Sequence, residues 1–237
     1  MQKKSRIAVF TSGGDAPGMN AAIRAVARTG FYYGMEVYGI LRGYQGLIDN
    51  DFSKLDNYKV ANIIQHGGTI LKSKRSEEFR TKEGRQKAFE NLSSKGIEAL
   101  VAIGGDGTFT GADIFGKEYT FPVVGIPGTI DNDLYGTDFT IGYDTAINTV
   151  VQAVDKIRDT AGSHNRLFFI EVMGRDAGFI ALRSGIATGA EDILIPETET
   201  SIEGLINKLK HDRRENKTSG IIMVSEGDDA GNAYEVA

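Results

Sequence analysis

The chain has 237 residues, 41% hydrophobic and 25% charged, with a formal net charge of −5 spread over interspersed charges of both signs; this length supports one large or two modest cores, and the balance gives no nucleic-acid-binding face. There is no cysteine, which excludes a disulfide framework and a thiolate metal site, and only His66, His164 and His211 are available, which argues against a histidine-based zinc site. No apolar run approaches a membrane span, and Met1-Gln2-Lys3-Lys4 leads into a strand rather than a signal peptide, so no membrane or nucleic-acid partner is expected and the expected location is cytoplasmic.

Taken in order, Arg6 to Phe10 reads as a buried strand, followed by a Gly-rich loop over residues 11–18 and a helix from near Pro17 to about Tyr33. Glu36 to Leu41 is a second strand. The next stretch is less regular, with a short helix expected over Val60 to Gln65 and a charged loop over residues 72–80. Thr81 to Lys95 reads as a helix closed by Gly96, Glu98 to Ile103 as a strand, and residues 104–108 as the turn into another helix. The apolar run from Val123 to Ile126 is strand-like, and Pro127-Gly128 is expected to stop it. Tyr143, Ala146, Ile147, Val150, Val154 and Ile157 fall at helical spacing. Leu167 to Met173 is a strand, Gly174 to Gly178 opens a helix to about Ala187, and Asp192 to Ile195 is a strand. Thr200 with Glu203 reads as a capping box for the next helix, and Gly220 to Val224 is the last strand, ending at Ser225-Glu226-Gly227 before a polar loop with no closing helix. Strands alternating with helices predict parallel sheets with crossover helices, and so many strands suggest a domain boundary near residue 140.

The strand-end loops carry the chemistry. In residues 127–133 a hydroxyl, an amide and two carboxylates follow one strand; if that loop is extended, Thr129, Asp131 and Asp133 point the same way. Two carboxylates there offer one group to take a proton and another to hold a metal or its water, although Gly, Asn and Asp are also what ordinary turns contain. Gly104-Gly105-Asp106-Gly107-Thr108 lies between a strand and a helix, where glycines admit a phosphate and the helix start offers N–H donors. Asp106 suits Mg²⁺ there, or else is a plain helix cap. Gly13-Gly14-Asp15 repeats the theme as a second wall of the same cleft, and no GxxxxGK[ST] loop is present.

Together TSGGDAPGMN (residues 11–20), IGGDGT (103–108), PGTIDND (127–133) and MGR (173–175) closely resemble the ATP-dependent 6-phosphofructokinase family over nearly the whole chain. The resemblance implies an α/β fold of two doubly wound, Rossmann-like three-layer domains with parallel sheets and the active site in the cleft between them. Residues 1–141 would be a nucleotide-binding domain lacking its C-terminal part, and residues 142–237 a nearly complete sugar-phosphate-binding domain. Family members continue beyond residue 237 with a GHxQRGG-like segment that also binds the sugar phosphate, and with chain that completes the first domain. The resemblance therefore implies weak or no turnover for the chain as it stands.

The implied reaction is the glycolytic transfer of the γ-phosphoryl group of MgATP to the 1-hydroxyl of D-fructose 6-phosphate. Asp131 would be the general base, Asp106 would hold Mg²⁺, and Asp133 would assist through water. Gly14, Arg75, Ser76, Gly105, Asp106, Gly107 and Thr108 would line the nucleotide, with Arg75 and Arg175 facing the transferring group. Thr129, Asp131, Arg166, Met173, Gly174, Arg175 and Glu226 would hold the sugar phosphate. In the family the residue matching Arg166 reaches in from a neighbouring subunit, which implies a homotetramer. Arg24, Arg28, Arg158, Gly189, Glu191 and Lys217 match an ADP or phosphoenolpyruvate effector site, but Asn57 and Glu215 replace cations usual there, which weakens an anion site. Similar pyrophosphate-dependent enzymes carry Asp where Gly107 stands and Lys where Gly128 stands, so glycine at both favours ATP. The rivals are a pyrophosphate-dependent or NAD-kinase-like enzyme and a non-catalytic nucleotide-binding fragment.

Overall fold

The computed structural model describes residues 4–215 and 219–237, which form two compact units. The first comprises the described residues within Met1–Thr129 and Leu134–Gly142, and the second those within Ile130–Asp133 and Tyr143–Ala237.

In chain order the first unit contains β1 (Arg6–Thr11), α1 (Met19–Tyr32), β2 (Glu36–Ile40), α2 (Gly43–Ile48), β3 (Phe52–Lys54), a 3-10 turn (Glu78–Arg80), α3 (Lys82–Ser94), β4 (Ala99–Gly104), α4 (Asp106–Tyr119), β5 (Val123–Thr129) and β6 (Ile141–Gly142). Its sheet has the order β3-β2-β1-β4-β5-β6, parallel except for the antiparallel β2–β3 pair. Ala8, Val9 and Phe10 of β1 are fully buried, as a central parallel strand requires when helices cover both faces. Gly30 lets α1 approach β2, since a Cβ there would meet the Val37 side chain at 2.5 Å. On α3 the buried Gly84, Ala88 and Leu92 form one stripe, and Thr81 caps the helix by accepting from the Gly84 N–H at 3.0 Å. The core is partly an aromatic column: Phe10 to Tyr44 at 4.8 Å between centroids, Tyr44 stacked on Phe79 at 4.0 Å, and Phe79 to Phe115 at 5.9 Å. The strand order reverses between β1 and β4, so their C-terminal loops adjoin at the sheet's carboxyl edge.

The second unit contains α5 (Tyr143–His164), β7 (Leu167–Val172), α6 (Phe179–Thr188), β8 (Asp192–Leu194), α7 (Ile202–Arg214), β9 (Gly220–Ser225) and α8 (Ala233–Val236). Its three strands run parallel in the order β7-β9-β8. Every residue of β9 is buried, and alternation divides them between two layers. Ile221 and Met223 pack with Tyr143, Val154, Ile180 and Ala181 of α5 and α6, while Ile222 and Val224 pack with Leu205 of α7 and with Ala233 and Val236 of α8.

Several local expectations are corrected. Residues 60–65 are turns rather than a helix: Asp56 accepts from the N–H groups of Tyr58 and Lys59, and Asn62 takes a left-handed φ of 54°. Pro127 does not stop β5, which pairs through Gly104↔Pro127 and runs on to Thr129. β6 pairs only with Gly128 and Thr129, so Pro127 stands on an edge where its missing N–H costs no ladder bond. The loop beyond Thr129 is not extended, because Asn132 has a φ of 54°; the alternation expected of Thr129, Asp131 and Asp133 is broken, with Asp131 buried and Asp133 exposed. Residues 174–178 form a turn and α6 begins at Phe179. The cap of α7 is Ser201, whose hydroxyl accepts from the Gly204 N–H at 3.1 Å, while Thr200 bonds Asp228 instead. A closing helix does exist: Asn232 and Glu235 form a complete capping box at α8.

Across the first three strands, the Glu36 carboxylate takes Lys54 Nζ and Arg6 Nε, the latter at 2.7 Å. The Lys54 hydrogen bond first, and the Arg6 bond second, hold the Glu36 carboxyl below the usual carboxylate range. A lowered folded-state value gives stability that is present above the unfolded carboxylate's pKa and is lost as pH falls through the folded one. Lys54→Met is expected to move the Glu36 titration upward and flatten that acid-side loss; carboxyl NMR titration with denaturation at two acidic pH values measures both.

Candidate active site

In the first unit the loops after β1, β4 and β5 meet. The Ser12 N–H donates to the Ile103 carbonyl at 3.0 Å, and the buried Thr108 hydroxyl donates back to the Ser12 carbonyl at 3.1 Å. Gly104 makes this approach possible, since a Cβ there would lie 2.4 Å from Thr108 Oγ1 and 2.5 Å from the Ser12 oxygen. Thr129 borders the same place, 3.7 Å from where a Cβ on Gly105 would stand. Gly105 is the N-cap of α4 and Asp106 its first residue, so the exposed Asp106 carboxylate sits beside the helix's unpaired N–H groups. A Cβ on Gly14 or Gly107 would meet nothing within 4 Å, so both loops present open backbone.

The segment before α3 is tied to these loops. Thr11 Oγ1 donates to the Lys72 carbonyl at 3.0 Å, and Ser73 Oγ donates to the Gly13 carbonyl. Ser76 donates to Gln45 Oε1 at 2.8 Å, and Arg75 beside it is exposed. Asn20, within the first motif, is buried and bonded within the chain: its amide donates to the His66 and Gly67 carbonyls at 3.0 and 3.2 Å, and its oxygen accepts from the Ile70 N–H at 2.8 Å. No motif or spacing marks Tyr44 for its part here. Its buried hydroxyl donates to the Thr108 carbonyl at 2.5 Å, and burial pushes its pKa well above the usual tyrosine value.

In the second unit the structure gathers Asp133, Gly174, Arg175 and Glu226. Arg175 Nη1 lies 3.7 Å from Asp133 Oδ2, and Glu226 Oε1 accepts from the Gly174 and Arg175 N–H groups at 3.0 and 2.7 Å. Asp131 is 7% exposed, and its neighbour Ile130 packs against the core of this unit. Met173 is exposed at the C-terminal end of β7. Arg166 precedes β7, so strand rise places it roughly 20 Å from Met173. Within one chain it does not join the others.

Arg158, Gly189 and Glu191 also come together here: Arg158 Nη2 donates to the Thr188 and Gly189 carbonyls at 2.6 and 3.0 Å, and its Nη1 lies 3.8 Å from Glu191. Arg24 and Arg28 belong to the first unit, donating to the Val60 carbonyl and to Asn57 Oδ1 respectively. Asn57 thus takes up one of the two arginines rather than adding a cation. Glu215 is the C-cap of α7, and Lys217 lies outside the described residues.

Among the described residues no three His, Cys, Asp or Glu side chains are grouped as a metal site. A groove of about 330 Å³ flanks α4 and β5, lined by Phe109, Phe121, Val123 and Gly125. Its lining includes none of residues 12–15 or 104–108.

A sequence profile described as Phosphofructokinase matches residues 6–237. An ATP-dependent 6-phosphofructokinase of Cytophaga hutchinsonii is 62% identical over 232 residues, covering 98% of this chain and 71% of that protein. ATP-dependent 6-phosphofructokinase 1 of Thermus thermophilus is 60% identical over 228 residues, covering 96% and 71%. Among solved structures, phosphofructokinase from Saccharomyces cerevisiae superposes with a TM-score of 0.91 at 42% identity, over 95% of this chain and 34% of that one. A pyrophosphate-dependent phosphofructokinase from Marinobacter aquaeolei reaches 0.82 at 22% identity, over 94% and 61%, a likeness of fold alone.

The Tyr44 contact yields a direct test. Tyr44→Phe keeps the stack on Phe79 but removes the donor to Thr108, and is expected to destabilise the chain by about 1 kcal/mol in urea unfolding. An unchanged midpoint would show that this hydroxyl contributes nothing to holding the loop.

Proposed function

The chain belongs to the phosphofructokinase family, and from that premise we propose that it transfers the γ-phosphoryl group of ATP to the 1-hydroxyl of D-fructose 6-phosphate, giving fructose 1,6-bisphosphate and ADP. One observation carries the reading: the chain leaving β5 delivers a buried carboxylate, Asp131, and an Asp133–Arg175 ion pair within four residues of the phosphate-loop neighbour Thr129.

The first unit serves as the nucleotide half and the second as the sugar half. Gly14, Arg75, Ser76 and residues 105–108 take the triphosphate, whose charge suits open glycine backbone and the start of α4. Asp131 takes the proton of the 1-hydroxyl; the freed oxygen attacks the γ-phosphorus, and the bond to the β–γ bridging oxygen breaks, releasing ADP. Thr129 and Arg175 orient and neutralise the transferring group, and such electrostatic positioning supplies most of the catalysis in phosphoryl transfer. Met173, Gly174 and Arg175 contribute the sugar-phosphate subsite, with Glu226 bonded to the Gly174–Arg175 turn.

Mg²⁺ fits Asp106: a single exposed carboxylate beside a phosphate loop suits an ion that keeps water and phosphate oxygens as its other ligands. When bound, it would neutralise charge on the β- and γ-phosphates.

Arg166 acts in a partner subunit's site, since its own chain keeps it at the far end of β7. This supports self-association, which the family resemblance implies to be a homotetramer. An ADP or phosphoenolpyruvate effector would use the Arg158–Gly189–Glu191 group with Arg24, Arg28 and Lys217, weakened by Asn57 and Glu215. The cytoplasm is the fitting location for such an enzyme.

Asp131→Ser is expected to lower turnover by about 10²–10⁴-fold while ATP affinity, by calorimetry, stays near the original. Retained turnover would remove Asp131 as the base. Gly107→Asp tests the donor: the space about Gly107 is open, so the carboxylate folds without clash and repels nucleotide phosphate. ATP-dependent turnover is expected to fall by roughly tenfold or more. Pyrophosphate outperforming ATP in the unaltered chain would select the pyrophosphate-dependent reading instead.

A further inference from the structure

We infer that Glu226 and Gly227, which follow β9, are positioning residues that hold the Gly174–Arg175 turn and so aim the Arg175 guanidinium at Asp133. The inference rests on the reading of Arg175 as part of the sugar-phosphate site.

The turn is backbone of an uncommon kind. Arg175 has a φ of 55° and Gly174 one of 157°, both in the region that side chains avoid. Such a turn persists where surrounding contacts over-determine it. Here three do. Glu226 Oε1 accepts from both N–H groups of the turn, at 3.0 and 2.7 Å, so one ionised oxygen satisfies two donors. Glu226 is itself anchored, because its own N–H donates to the Val172 carbonyl at 3.0 Å and ties the end of β9 to the end of β7. Gly227 then packs directly on the turn: a Cβ there would lie 2.0 Å from the Arg175 carbonyl oxygen and 3.0 Å from its carbon. Gly174 is fixed from the other side, since a Cβ there would meet the Ala177 oxygen at 2.4 Å.

Charge points the same way. A carboxylate beside an anionic sugar phosphate is unfavourable unless it is otherwise engaged, and here the two backbone donors engage it. The product of the clamp is the placement of Arg175 Nη1 3.7 Å from Asp133 Oδ2, in the loop that also carries Asp131.

The test compares Glu226→Gln, Glu226→Ala and Gly227→Ala with the unaltered protein. Amide hydrogen exchange over residues 172–178 is read beside the kcat and KM for fructose 6-phosphate. Glu226→Ala is expected to speed exchange at Gly174 and Arg175 by about tenfold or more and to lower kcat. Glu226→Gln keeps an oxygen that can accept, and is expected to restore much of the protection and part of kcat. Gly227→Ala keeps the Glu226 charge yet pushes the turn aside, and is expected to match Glu226→Ala. If Glu226 merely touched ligand, Gln and Ala would weaken fructose 6-phosphate use alike with exchange unchanged, and that result overturns the inference. Faster exchange in Glu226→Ala in a protein that handles no fructose 6-phosphate would leave the clamp standing and remove the sugar-phosphate reading. Should Gly227→Ala fail to fold, the contrast between Gln and Ala at residue 226 still decides.

Discussion

How closely two backbones can approach at Gly104 determines the first unit's loop geometry. With no side chain in the way, the turn into α4 settles against the carbonyl of Ser12, and the Thr108 hydroxyl closes the contact. The strands alone would bring the two loops to one edge, since Thr11 stands opposite Ile103 in the β1–β4 register. Contact between them needs the missing Cβ. The second unit uses the same device, with Gly227 on the carbonyl of Arg175 and Gly178 against Ile195 and Glu197. At these positions glycine serves less for unusual dihedrals than for close approach, to main chain at Gly227, to side chains at Gly178 and to both at Gly104.

Rigid packing behind each loop makes this economical. Tyr44 reaches the Thr108 carbonyl from within an aromatic column that runs from Phe10 to Phe115, so the start of α4 is fixed by the core itself. In the second unit β9 is buried on both faces, and Glu226 is the first residue past its end. The loop groups at Thr108 and Glu226 thus stand beside fully buried structure, where side-chain rotamers are already fixed.

Much of this was legible in the chain. Apolar runs placed β1, β4, β7 and β9, and the Gly-Gly-Asp clusters at the ends of β1 and β4 marked their loops, because a strand end with that sequence leaves few alternatives. Where legibility failed, the cause was local chemistry competing with pattern. The Asp56 side chain turned a helical stretch into successive turns. Asn132 entered the left-handed region and broke the alternation that would have aligned Asp131 with Asp133. Helix α2 was missed because Gly43 and Gly46 are weak helix formers; tertiary contact decides there, with a Cβ on Gly46 falling 1.7 Å from the Leu41 oxygen. The engagement of Glu226 with the turn at residue 174 spans 52 positions, a distance over which no sequence period speaks.

In β5, Val123 to Pro127 lies beside β4, yet β6 reaches only the last two positions, and Val124 is 61% exposed. Among the described residues, that stretch leaves a row of main-chain donors and acceptors open along its outer side, flanked by apolar side chains. Such a border has the geometry to accept another extended segment in register with β5. Pro127, unable to donate, blunts the border at one end only.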